Sequence, residues 1–175
     1  MKKLLTLILL LPFLFSKAQV VPADSTLIPI VEKQGTAMAK LLLAKDYSAF
    51  VKYTYPPILK MAGGEAKMTA LIKQSFKQIE DQGYKILKVS IENPTGIIHF
   101  GKKLQCSVTQ LLEMKVPNGR IVSKSTLIGN SDNNGKNWTF LDTHGATLQE
   151  LQKTIPGLSN DLIIPEKTEP VLYKE

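Results

Sequence analysis

Hydrophobic positions in this chain follow two periods, and the change from one to the other falls at Gly83. Before it the spacing is three and four. Leu27, Ile30, Val31, Met38, Leu41 and Leu42 mark one face of a helix that begins near Ser25, a suitable N-cap, and runs to Ala44. Tyr47, Phe50, Val51 and Tyr55 repeat that spacing over a shorter stretch, which predicts a helix over 47–54 capped by Asp46. Pro56-Pro57 breaks it, and 58–61 reads as a single turn. Met68, Leu71, Ile72, Phe76 and Ile79 stripe a third helix over 65–82, closed by Gly83.

Beyond Gly83 the period is two. A strand over 84–92 places Leu87, Val89 and Ile91 on one face, and Asn93-Pro94-Thr95-Gly96 turns the chain. Residues 97–103 carry no clear pattern. Leu104, Cys106, Val108, Leu112 and Met114 share a face of a longer strand over 104–116. Asn118-Gly119 tolerates the positive φ angles of a tight hairpin, so the strand over 121–129 is expected to pair antiparallel with its predecessor. A turn over 131–135 leads to a last strand, 138–142, with Trp138 and Phe140 facing the core. Leu148, Leu151 and Ile155 predict a helix over 147–155, stopped by Pro156-Gly157. Leu162-Ile163-Ile164-Pro165 packs on the body, and 166–175 reads as a flexible tail.

Helices followed by an antiparallel meander define an α+β class. The expected architecture has N-terminal helices packed on a curved antiparallel sheet of about four strands, with a short C-terminal helix. Leu111, Val122 and Ile128 fall on the parity opposite to Leu104, Ile121 and Leu127. Both sheet faces are therefore partly apolar, and the second is free to seek a partner such as another copy of the chain.

The first residues have a different character. Lys2 and Lys3 precede an apolar run from Leu4 to Phe15, and Ser16-Lys17-Ala18 supplies a small-x-small cleavage site. This run is shorter than the roughly 20 apolar residues of a membrane span. Residues 1–18 read as a signal peptide cleaved near Ala18, which implies an exported protein, periplasmic or secreted, with no membrane span after cleavage. Losing Lys2, Lys3 and Lys17 lowers the formal net charge from +7 to +4. With Arg120 as the only arginine and no basic stripe among aromatics, nothing suggests a nucleic-acid partner. Cys106 is the only cysteine, so no internal disulfide can form, and its alternating run reads as a buried thiol.

Candidate chemistry is sparse. Asp142 and His144 are two apart at a strand end, where an Asp can orient a His as a general base, and where it can equally hydrogen-bond the backbone of a turn. His99 lies in the unpatterned 97–103 segment and is a candidate ligand contact. Two His and one Cys give no zinc-type spacing, so no metal and no cofactor is expected. There is no phosphate-cradling glycine loop and no Gly-x-Ser-x-Gly elbow. No Asp or Glu falls on the inward parity of a strand, as an acid in an apolar pocket would require.

The order of elements, the strand ending Asn137-Trp138-Thr139-Phe140-Leu141-Asp142-Thr143-His144-Gly145 and the run Ile97–Met114 together resemble the nuclear-transport-factor-2-like (cystatin-like cone) superfamily. The Ser-Lys-Ala-Gln ending of the first segment resembles signal peptides of Bacteroidetes-type bacteria. The likeness spans most of 26–165. It implies a single cone-like domain over 19–165, although the family's usual hairpin has only 55–64 to occupy here. Isomerases of that superfamily use a Tyr donor inside the cone, which makes Tyr53 and Tyr55 candidate ligand contacts and Tyr53, with Asp142 and His144, a catalytic candidate. Three readings follow: a non-catalytic exported module whose cone or sheet binds a small apolar ligand or a protein partner; an isomerase- or dehydratase-like enzyme with a pocket in the cone; and a homodimeric structural envelope protein.

Overall fold

A computed structural model describes residues 24–174; the expected signal peptide, 1–18, lies outside the described residues. The class is α+β, with helices and an open antiparallel sheet. Helices α1 (Asp24–Leu43), α2 (Tyr47–Val51), α3 (Pro56–Met61) and α4 (Glu65–Asp81) precede strands β1 (Lys85–Glu92), β2 (Ile98–Phe100), β3 (Lys103–Val116), β4 (Gly119–Ser131) and β5 (Thr139–Asp142). Helix α5 (Leu148–Thr154) and strand β6 (Val171–Lys174) follow.

The sheet has six strands where about four were expected. Its centre is the long β3–β4 hairpin, in register from Leu104 opposite Ser131 to Val116 opposite Gly119. Each long strand carries two short ones on its outer side: β1 and β2 on β3, β5 and β6 on β4. Between β1 and β2 the loop is tied to β3 at Thr95, whose N–H donates to the Ser107 carbonyl at 2.8 Å and whose hydroxyl accepts from the Ser107 N–H at 2.9 Å. The hairpin turn is Pro117-Asn118, with Gly119 alone taking a positive φ, +135°. Proline favours the first central position of such turns, so the tight turn rests on Pro117 more than on Asn118.

Two departures from the period-two reading have local causes. The pairing of β1 with β3 shifts between Ile86 and Lys88, leaving Leu87 as an extra residue. This β-bulge turns Leu87 outward, 44% exposed, and brings Ile86 against the core in its place. At the other end, Val171–Lys174 of the expected flexible tail pair with Val122–Gly119, and the Arg120 guanidinium lies 4.5 Å from the centre of the Tyr173 ring.

The core has two compartments, one on each face of the sheet. On one face α1 buries Leu27, Val31, Met38 and Ala39 against Val89, Ile91, Cys106, Val108, Trp138 and Phe140. Gly35 sets this approach: a β-carbon there would lie 2.7 Å from Ile91 Cγ2, so a helix-interior glycine that costs about 1 kcal/mol in propensity lets α1 press on β1. Gln34 fastens the same helix to the loop leading into β5, accepting from the Trp138 N–H at 2.7 Å and donating to the Lys136 carbonyl at 2.8 Å. On the opposite face Ile128 and Leu141 are buried beneath Leu151, Ile155, Leu158 and Leu162, together with Tyr55. The second apolar face is thus covered, at its β4–β5 end, by the chain's own C-terminal segment.

Helix α4 stands apart from both compartments. None of its residues is buried. It leans on α2, where Tyr47 and Phe76 stack with ring centres 5.5 Å apart, and Lys45 pairs with Glu80.

Candidate functional site

Helix α2 ends after Val51, and the next residues run along the edge of β5. The Phe140 N–H donates to the Tyr53 carbonyl at 2.6 Å, and the Tyr55 N–H donates to the Phe140 carbonyl at 3.0 Å. This short parallel bridge passes the chain from one face of the sheet to the other. Tyr53 packs against the α1-side core, whereas Tyr55 enters the opposite compartment and is 3% exposed. Pro56 and Pro57 then open α3, where a missing N–H costs nothing because the first turn has no internal acceptor for it.

Around this crossing lies a cavity of about 270 Å³, walled by Tyr55, Pro56, Pro57, Lys103, Asn130 and Thr139 and completed by the exposed Asp132 and Asn137. Lys103, at the start of β3, donates to the Tyr55 hydroxyl at 3.2 Å, and its ammonium lies 5.6 Å from the Tyr55 ring centre. Asn130 is 3% exposed, and its side chain accepts from Gln105 Nε2 at 2.7 Å.

Gln105 fixes the cover beside this cavity. It is fully buried on the parity that a simple alternation assigns to solvent. Its Nε2 also donates to the Gly157 carbonyl at 2.8 Å, and its Oε1 accepts from the Ser159 N–H at 2.8 Å. One side chain thereby holds the C-terminal segment on the sheet with its polar atoms satisfied, as burial demands. At the start of that segment α5 carries a complete capping box: Thr147 and Glu150 exchange hydrogen bonds, which hold the Glu150 carboxyl below the usual carboxylate range.

The remaining sequence candidates are dispersed. Asp142 Oδ1 accepts from the His144 N–H at 2.8 Å, while the two side chains are 3.7 Å apart. His144 takes φ +50° and its side chain is 86% exposed, so this pair closes a turn ahead of α5. His99 projects from β2 to the start of α1, with Nε2 2.8 Å from Asp24 Oδ1. Of the candidates, only Tyr55 lines the cavity. Asp142 and His144 meet only in that turn, while His99 is engaged with Asp24 and Tyr53 packs against the α1-side core.

Lys103, Asn130 and Thr139 were not among the residues singled out from the sequence. The first lies where the hydrophobic pattern is weakest, and the other two occupy polar positions of alternating strands, which look solvent-facing until the C-terminal cover is in place. Cys106 is fully buried, and burial pushes its thiol up to about 12 against the opposing pull of a backbone hydrogen bond at Gly129. Among the described residues, no group of three or more His, Cys, Asp or Glu side chains is placed to hold a metal ion, and no helix is long and apolar enough to cross a membrane.

No model of a known protein family matches the chain, and no curated protein matches it.

Proposed function

We propose that this protein is an exported, non-catalytic binding module that holds a small ligand with an apolar body in the cavity beside Tyr55. Its helices and sheet are read as a cone of the nuclear-transport-factor-2-like kind, used here as a scaffold. The observation that carries the reading is the separation of the polar candidates from the cavity. His99 is engaged with Asp24, and Asp142 with His144 in a turn, while the cavity is walled by Tyr55, Pro56, Pro57 and Lys103. Proton transfer needs donor and acceptor within reach of one reacting group, whereas retention of a ligand needs a concave, partly apolar wall with a few polar contacts.

The test is a screen of small aromatic and aliphatic fragments against the 15N-labelled protein by NMR, with Asp142→Asn and His144→Ala run in parallel. Fragments should shift the Thr139 amide and the Asn130 side-chain amide with the same affinity in all three proteins. Binding that disappears in either variant, or that maps away from the cavity, would sink the reading.

A further inference from the structure

We infer that the ligand taken by this cavity is a small monocarboxylate whose carboxylate meets the Lys103 ammonium and the Tyr55 hydroxyl. The inference rests on the reading of the cavity as a ligand site and names the chemistry that fills it.

Three observations lead to it. Lys103 is only partly exposed, yet it takes part in no ion pair with a described carboxylate. An ammonium has three donors, and one of them is directed at Tyr55. A half-buried ammonium that meets only the Tyr55 hydroxyl and ring keeps donors free for an incoming anion.

The second observation is the Tyr55 hydroxyl itself. It accepts from Lys103, and none of the described residues accepts its own hydrogen. A phenol and an ammonium 3.2 Å apart on one cavity wall form a two-donor pair suited to the two oxygens of a single carboxylate.

The third is what surrounds the pair. Pro56 and Pro57 offer apolar contact for the body of the ligand, and the volume of about 270 Å³ suits a molecule of roughly one ring. Asp132 adds a negative charge to the wall, which disfavours phosphates and dicarboxylates.

Benzoate and its neutral counterpart benzamide separate the shape of the ligand from its charge. Both would be titrated into the 15N-labelled protein, following the Thr139 amide and the side-chain amides of Asn130 and Asn137. Benzoate should bind at least about tenfold more tightly than benzamide, the scale of one charge-assisted hydrogen bond. Lys103→Met, which keeps the apolar stem, should bring the ratio close to one, and Lys103→Arg should preserve it. Tyr55→Phe should weaken benzoate more than it weakens benzamide. Equal binding of the two compounds by the unaltered protein overturns the carboxylate assignment and leaves the ligand-cavity reading standing. Absence of saturable shifts at the cavity with either compound overturns both. The comparison in the unaltered protein decides even where a variant fails to fold.

Discussion

Cys106 shows how position decides the chemistry of a side chain. A thiolate is the reactive form of cysteine, and a site that raises the thiol to about 12 suppresses it at any physiological pH. The native protein should react negligibly with a disulfide reagent at pH 8 and react fully once unfolded in urea. The same shift has a thermodynamic side. The folded state holds the thiol proton more tightly than the unfolded chain does, so this stabilisation is complete below the unfolded value near 9.0 and is lost as pH climbs from there towards 12. Between pH 8 and pH 10 the protein should therefore lose about 1.4 kcal/mol more stability than its Cys106→Ala variant, as read from parallel urea titrations. Equal losses in the two proteins would mean that the thiol is not sealed. The Asp142-Thr143-His144 turn follows a similar logic. There the geometry assigns the Asp side chain to the backbone N–H of residue 144, and the His ring is left in solvent.

Among the elements, those with long periodic patterns were legible in the sequence. The stripe of α1, the cap of α2 by Asp46, the extent of α4 and the two long strands all follow from spacing and turn chemistry. The prolines were read as a helix break, but α2 ends earlier, at Val51, and Pro56-Pro57 open α3 instead. Short elements were not. Three residues in β2 and four in β6 are too few to show alternation, and every residue of β6 is exposed. The bulge at Leu87 was hidden because an extra residue breaks parity without changing composition. The cavity was only partly legible: Tyr55 was singled out, while Lys103, Asn130 and Thr139 depend on a cover that arrives about 50 residues later in the chain, as Gln105 meeting Gly157 shows. Gln105 is the element-scale test of that cover. Gln105→Leu keeps the bulk and leaves the Gly157 carbonyl and the Ser159 N–H without their partner. Such losses cost about 1–3 kcal/mol per buried group, so the variant should be destabilised by about 2–4 kcal/mol in a urea titration. Hydrogen exchange should accelerate at Ser159 and along α5 before it does in β3. Uniform acceleration across the sheet would show that the segment is not a separable cover.

For the whole molecule, the consequential asymmetry lies along the sheet. At its β4–β5 end both faces are buried, by α1 on one side and by α5 with residues 155–164 on the other. At its hairpin end Glu113 and Arg120 pair on a face with no such cover, and the neighbouring edge of β4 is occupied by β6. That strand adds little buried surface, because Val171, Leu172 and Tyr173 are each about half exposed. Removing Val171–Glu175 should accordingly leave the midpoint of thermal unfolding within about 2 °C, since small surface changes are worth tenths of a kcal/mol. It would also bare the backbone of Gly119–Val122 as an open edge, and the truncated protein should associate in a concentration-dependent way that light scattering detects. The intact chain presents β6 there instead, a strand of four residues that follows Pro170 and carries Lys174. Short length, a proline and a lysine are what blunts a strand edge against unwanted partners. Four residues that contribute almost nothing to the core would then act as a guard on solubility, set where the longest hairpin in the fold would otherwise invite self-assembly.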